Sequence, residues 1–165
     1  MDVRLARLDD AEAIRAIYNV EIAGVATFDL VERSLEEQQR WLGAHSGAHP
    51  AVVAVDAGVA DEDIVVGFGS LSPFRDRPAY STTVEDSVYV DRAWQGRGVG
   101  KALLEELLRL ATGHGFHSVI ARIVGDNEAS IRLHRSCGFD MVGVEREVGR
   151  KLGRWLDVVE MQVLL

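Results

Sequence analysis

The sequence predicts a single α+β domain over residues 1–165, a mixed sheet with helices on its faces. Three observations carry that prediction. Segments of period-2 and of helical spacing follow one another in the order βααβββαβαββ, which is neither a regular βα alternation nor an all-β pattern. Apolar residues make up 47% and charged residues 27%, an ordinary balance for a chain that buries a core. At 165 residues the chain is long enough for one substantial core.

Each element has its own local reason. VRLARLD alternates apolar and polar, so residues 2–8 read as a strand. Asp9 or Asp10 then caps a helix whose Ala13, Ile14, Ile17, Tyr18 and Ile22 recur at helical spacing. After the irregular AGVATFDLVERS, Ser34 and Glu37 form a capping box for a second helix carried forward by Leu35, Gln39, Trp41 and Leu42. AVVAVD and DIVVGFGSLSPF are apolar strands separated by the turn-like AGVADED. TTVEDSVYVD is a further strand, rich in β-branched and aromatic residues. From Gly98 to about His114 runs the strongest helix, with Leu103, Leu104, Leu107, Leu108 and Ala111 on one face. SVIARIV is the next strand, and DNEASIRLHRSCGF a short helix closed by Gly138. Strands near 141–148 and 155–163 finish the chain.

A net charge of −8 argues against general nucleic-acid binding, favours a cationic substrate, and leaves an anionic cofactor in need of a local positive site. No apolar run reaches the roughly 18 residues of a membrane helix, and the N-terminus lacks the basic-then-apolar order of a signal peptide. The lone Cys137 has no disulfide partner within the chain, and no Cys/His cluster has metal spacing. A cytoplasmic protein without a metal is expected.

The local positive site is QGRGVGK. Gly96, Gly98 and Gly100 let the main chain turn tightly between a strand and a helix, where the first amides have no partner of their own. Such a helix end binds phosphate, and Arg97 and Lys101 add charge beside it. The glycines do not have the dinucleotide spacing G-x-G-x-x-G, and GRGVGKA lacks both the spacing and the final hydroxyl of a P-loop. A coenzyme A site remains, against the plainer alternative of a glycine turn that holds nothing.

Gln95-Gly-Arg-Gly-Val-Gly100 resembles the Q/R-x-x-G-x-G/A acyl-CoA motif of GNAT-type N-acetyltransferases, and the element order matches that fold over nearly the whole chain. DNEASIRLHRSCGF resembles the family's N-x-x-A-x-x-x-Y-x-x-x-GF segment, with His134 where a tyrosine is usual. VATFD, FRDRPAY, TVEDSVYVD, RLHRSCGF and GRWLDV further resemble the phosphinothricin/methionine sulfoximine acetyltransferase group. The resemblance implies an acyltransferase that moves acetyl from acetyl-CoA to the amino group of a small amino acid, and a homodimer. It also implies central strands splayed apart by a bulge, with freed amides facing the cofactor.

The resemblance also distributes roles. Gln95, Gly96, Arg97, Gly98, Val99, Gly100 and Lys101 would hold the diphosphate, and Val88, Tyr89 and Val90 the pantetheine arm and the thioester oxygen. Asn127 would contact the cofactor, or simply cap its helix. Glu85 is the candidate base or ammonium anchor, against a solvated strand carboxylate. It shares a face with Ser87 and Tyr89, and Asp86, Val88 and Val90 share the other. His134 would protonate the departing thiolate, pack on the cofactor, relay protons, or lie idle on a helix surface.

Arg75, Arg77 and Tyr80 are candidates to capture a substrate carboxylate, since a guanidinium pairs with it bidentately. Phe28 would cover the substrate or sit in the core, and Trp155 and Asp157 would shape a rim or a dimer contact. FRDRPAY departs from the group's K-x-R-N-A-Y, which puts phosphinothricin itself in doubt and leaves methionine sulfoximine, methionine sulfone or another amino acid open. The alternatives are a protein N-terminus, a polyamine or an aminoglycoside as acceptor, or an acetyl-CoA sensor without turnover.

Overall fold

A computed structural model describes residues 1–57 and 63–165, and its elements follow the expected order. They are β1 (Asp2–Leu5), α1 (Ala11–Ile22), α2 (Leu35–Ala44), β2 (Ala51–Ala57), β3 (Asp63–Pro73) and β4 (Thr83–Val90). Then come α3 (Val99–Gly113), β5 (Ser118–Val124), α4 (Glu128–Ser136), β6 (Asp140–Lys151) and β7 (Arg154–Leu164). The turn expected over 57–63 lies mostly outside the described residues. Two local expectations need correcting. The first strand stops at Leu5, and Leu8–Asp10 form a 3-10 turn. Asp10 stands at the start of α1 without bonding to it, because its carboxylate is taken by both terminal nitrogens of Arg4 (2.8 and 2.9 Å) and by the Arg7 amide. Ser34 and Glu37 do form the capping box of α2.

The strands make one seven-stranded sheet in the order β1-β2-β3-β4-β5-β7-β6. Every pairing is antiparallel except β4 with β5. Alternation on β2 shows how the two faces are filled. Val53 and Val55 pack with Ile14, Ile17 and Tyr18 of α1 on one face, while Val52 and Ala54 pack with Leu103, Leu104 and Leu107 of α3 on the other. Close approach of α3 needs missing side chains. A Cβ on Gly67 would meet Val99 and Leu103, and one on Gly69 would come within 2.9 Å of Leu107 Cδ1 and 3.0 Å of the Ser87 carbonyl.

The centre of the sheet is incomplete. β4 pairs with β5 only over Thr83–Glu85 and Ser118–Ile120, and the strands diverge beyond. No bulge in β4 causes this, contrary to expectation. Its register with β3 is unbroken from Val84 to Val90, and the register shift lies between β2 and β3 at Ala54/Val55. Instead, β4 stays paired with β3 and β5 with β7 along their lengths, and the two halves of the sheet part between them.

Gly69→Ala is expected to lower unfolding free energy by about 1–3 kcal/mol, because either Leu107 or the strand must move. Urea denaturation measures this, and an unchanged midpoint would mean that α3 is free to shift.

Candidate active site

The gap between β4 and β5 opens on both faces of the sheet, and neighbouring residues of β4 serve different sides. On the α1–α2 side a cavity is lined by Thr27, Phe28, Glu85, Ser87, Tyr89, Arg122 and Val158. A second cavity runs through the gap toward α4, along Asp86 to Val90, Ala121 to Val124, Gln95, Asn127, Ser130 and His134. Ala26, Ser87, Tyr89, Arg122 and Val124 line both, so the two cavities are neighbours.

Gln95, the first residue of the turn into α3, lines the second cavity. Gly96 (φ 74°) and Gly98 (φ 84°) hold left-handed conformations that L side chains rarely adopt, and nothing in the chain lies within 4 Å of where their Cβ atoms would be. α3 begins directly after Gly98 with no side-chain cap, and its first amides have no partner within the helix, a setting that fits a diphosphate. Gln95 Nε2 donates to the Val90 carbonyl (3.3 Å), tying the turn to the end of β4. Val99 is buried in the core, so only its main chain is available to a ligand. Gly100 packs under Leu133 of α4. Arg97 lies over Trp94, and exposed Lys101 pairs with Glu105 at 3.7 Å.

Glu85 is half-buried. Burial raises its pKa, and Arg122 opposes that while the charges of Asp86, Glu160 and Glu145 add to it. A carboxylate so placed is a better proton acceptor near neutral pH than an exposed one. Phe28 is 42% exposed rather than a core residue, and its ring rests against Gly149 of β6, where a Cβ would collide with it. Its loop is pinned: Asn19 exchanges two bonds with the Arg33 main chain, Tyr18 bonds Thr27 and Asp29, and buried Lys151 donates to the Thr27 carbonyl (2.7 Å).

His134 is not a surface histidine. It is 4% exposed, 3.0 Å from Asp86 Oδ2 through Nε2 and 2.8 Å from the Ser130 carbonyl through Nδ1. Asn127 Oδ1 accepts from the Ser130 amide and so caps α4, which leaves its amide nitrogen for any ligand. Tyr89 packs between Phe68 and Tyr18, and burial holds its hydroxyl far above the usual phenol range.

Arg75, Arg77 and Tyr80 line a separate hollow with His49, Phe74 and Thr83, which shares no residue with the two cavities. Arg75 lies over Phe74 and Tyr80 there, so within one chain these arginines do not reach Glu85. A guanidinium from the strand after α3 does stand in the cavities. Arg122 lines both cavities and pairs with Glu145. Sequence reasoning gave neither Arg122 nor Asp86 a role. Asp86 had a signal: it is a charge on a strand face otherwise made of Val84, Val88 and Val90, which demands a partner. Asp157 accepts from the Glu147 amide at an irregularity in β6, and Trp155 is 60% exposed, so neither enters the cavities. Burial raises the Cys137 thiol's pKa, which argues against a nucleophile.

Residues 3–159 match the family described as Acetyltransferase (GNAT) domain. The chain belongs to the GNAT acetyltransferase family. It is 38% identical to an L-methionine sulfoximine/L-methionine sulfone acetyltransferase of Pseudomonas paraeruginosa, over 99% of this chain and 94% of that one. It is also 38% identical to a phosphinothricin N-acetyltransferase of Streptomyces coelicolor, over 96% and 92% of the two chains. The crystal structure of a GNAT superfamily phosphinothricin acetyltransferase from Sinorhizobium meliloti in complex with AcCoA superposes with a TM-score of 0.92 at 39% identity, covering 99% of this chain and 88% of that one. Among the described residues of this GNAT domain, no group of three or more His, Cys, Asp or Glu is placed to hold a metal ion, and no helix is long and apolar enough to cross a membrane.

Because folding raises the Glu85 pKa, its charged form costs stability: the cost is absent below the unfolded pKa and complete above the folded one. Glu85→Gln should therefore raise Tm at about pH 7.5, by on the order of 2 °C, with the gain fading toward about pH 4. Scanning calorimetry at both pH values checks it, and a pH-independent difference would contradict the cause given.

Proposed function

We propose that this GNAT domain transfers acetyl from acetyl-CoA to the amino group of a small amino acid of the methionine sulfoximine or phosphinothricin type, by direct attack with both substrates bound. One observation carries the reading. β4 turns Glu85 toward the cavity under Phe28 and Asp86, with its partner His134, toward the cavity behind the glycine turn. An amine and a thioester meeting in the gap would have a proton acceptor on one side and a donor on the other.

Acetyl-CoA supplies the activated acyl group. The amides behind Gly96 and Gly98 would hold its diphosphate, with Arg97 and Lys101 offsetting charge on a chain of net −8. Gln95, Val99, Gly100 and Asn127 would border it, and the main chain of Val88, Tyr89 and Val90, unpaired toward β5, would take the pantetheine arm and the charge that gathers on the carbonyl oxygen. Glu85 would accept a proton from the incoming ammonium or anchor it, and Phe28 would cover the acceptor. Arg122 is the guanidinium in reach of the acceptor's carboxylate, in place of Arg75 and Arg77.

The exposed apolar side chains Val142, Val144, Val148 and Trp155 on the β6–β7 edge support a homodimer. We place the activity in the cytoplasm, where acetyl-CoA is drawn on, and acting on a small molecule rather than a nucleic acid or a membrane. Equilibrium sedimentation is expected to give twice the mass of the chain, and Val144→Lys with Trp155→Lys to give the monomer.

Incubation with acetyl-CoA and a panel of amines, followed by release of free thiol, tests the function. Release is expected with L-methionine sulfoximine and not with spermidine, an aminoglycoside or a peptide. Binding of acetyl-CoA without release would make the domain a sensor. Glu85→Gln is expected to lower kcat by roughly 10²-fold while leaving acetyl-CoA affinity unchanged.

A further inference from the structure

Asp86 lies on a strand face shared with Val84, Val88 and Val90, all packed into the core beneath α3. A carboxylate there is costly unless its charge is compensated. Its side chain is 1% exposed, and Oδ1 has no hydrogen-bond partner among the described residues. Oδ2 has one, Nε2 of His134, at 3.0 Å, and that ring is 5% exposed. No other side chain among the described residues bonds to Asp86.

The other ring nitrogen fixes the proton count. Nδ1 lies 2.8 Å from the Ser130 carbonyl, which can only accept, with the Ser130 hydroxyl farther off at 3.4 Å, so the shorter contact puts a hydrogen on Nδ1. In a neutral ring Nε2 would then be bare, and a bare nitrogen against an ionised carboxylate sets two acceptors face to face. The contact is a bond only when one more proton lies between Nε2 and Oδ2. Burial pulls the His134 pKa down, and the bond and charge of Asp86 with the Ser130 carbonyl outweigh it, leaving the ring above its ordinary value. The charged and titratable groups on neighbouring elements are Arg122 of β5 and Glu21 of α1, which line the same cavity, Cys137 after α4, the pair Lys101 and Glu105 on α3, and Glu85 on the opposite face of β4. Phe139 closes the ring's flank edge-on at 5.0 Å.

Resting on the reading that the thioester occupies this cavity, we infer that Asp86 is a positioning residue that keeps His134 a doubly protonated imidazolium, and that the pair supplies the proton for the departing thiolate. As the carbon–sulfur bond breaks, its electron pair goes to sulfur. The proton held between Nε2 and Oδ2 follows and completes the free thiol. Each ammonium gives up two protons in becoming an amide; one refills the pair and the other goes to solvent. Glu85 and the pair end as they began.

Nitrogen-15 NMR of the histidine rings in the protein without substrate reads the charge directly, with His134 identified by its absence in His134→Gln. Both ring nitrogens of His134 are expected to be protonated at about pH 8, well above the ordinary histidine pKa. In Asp86→Asn, whose amide can donate to a bare Nε2, the ring is expected to be neutral at the same pH. A neutral ring in the unmodified protein, or a charged one in Asp86→Asn, overturns the inference. The unmodified protein's spectrum decides the charge even where the variant fails to fold. In turnover, Asp86→Asn should move the alkaline limb of the kcat profile down by about one pH unit or more, with KM for acetyl-CoA nearly unchanged. A limb that stays in place overturns the proton-source role. If no amine releases thiol in the unmodified protein, that role falls together with the proposed function, and the spectra alone decide the pairing of Asp86 with His134.

Discussion

The interior parting of β4 from β5 is the constraint on which the rest of this fold depends. Two strands at the centre of a sheet ordinarily satisfy each other's main-chain groups, and leaving them unpaired in an interior carries a free-energy penalty. Here they pair for three residues each and then separate, while each stays bonded to its outer neighbour. The amides this frees are fixed in direction before any ligand arrives. They can stabilise charge without reorganising, which is where preorganised donors gain over water. The core packs around the opening rather than across it: Leu103, Leu104 and Leu107 fill one face of the sheet, and α1 with Tyr18 fills the other.

Adjacent carboxylates then acquire different chemistry from the pleat alone. Glu85 and Asp86 are one residue apart, so their side chains leave β4 on opposite faces. Glu85 is half-buried beside Arg122 with no side-chain hydrogen bond among the described residues, and its proton affinity rises through desolvation. Asp86 is fully buried against an imidazole on α4. Two like residues are pushed toward different tasks by what lies on each face, which the proposed transfer, taking a proton on one side and returning one on the other, would use.

Local positive character set against an overall negative charge follows the same logic. A chain of net −8 repels free phosphate at long range, but screening confines that effect to roughly 8–10 Å at physiological salt. At the α3 N-terminus, the left-handed Gly96 and Gly98 lead into a helix end without a side-chain cap, with Arg97 and Lys101 alongside. The long-range field favours the cationic end of an acceptor, and the short-range dipoles favour the anionic end of a donor.

The sequence determined what depends on neighbours a few residues away. The element order, the Ser34–Glu37 capping box, the glycine turn into the Leu-rich helix and the facing of Glu85 and Asp86 all follow from local periodicity or local hydrogen bonds, and all are found in place. The cap expected of Asp10 failed because Arg4, six residues back, competes for its carboxylate. Only the tertiary structure decided that Asp86 meets His134 across 48 residues, and that Arg122 rather than the Arg75–Arg77 loop stands beside Glu85. It also decided that the sheet opens without a bulge between β3 and β4. Which side chains meet across the core is set by how strands and helices pack against each other, and no periodicity within a single segment records that.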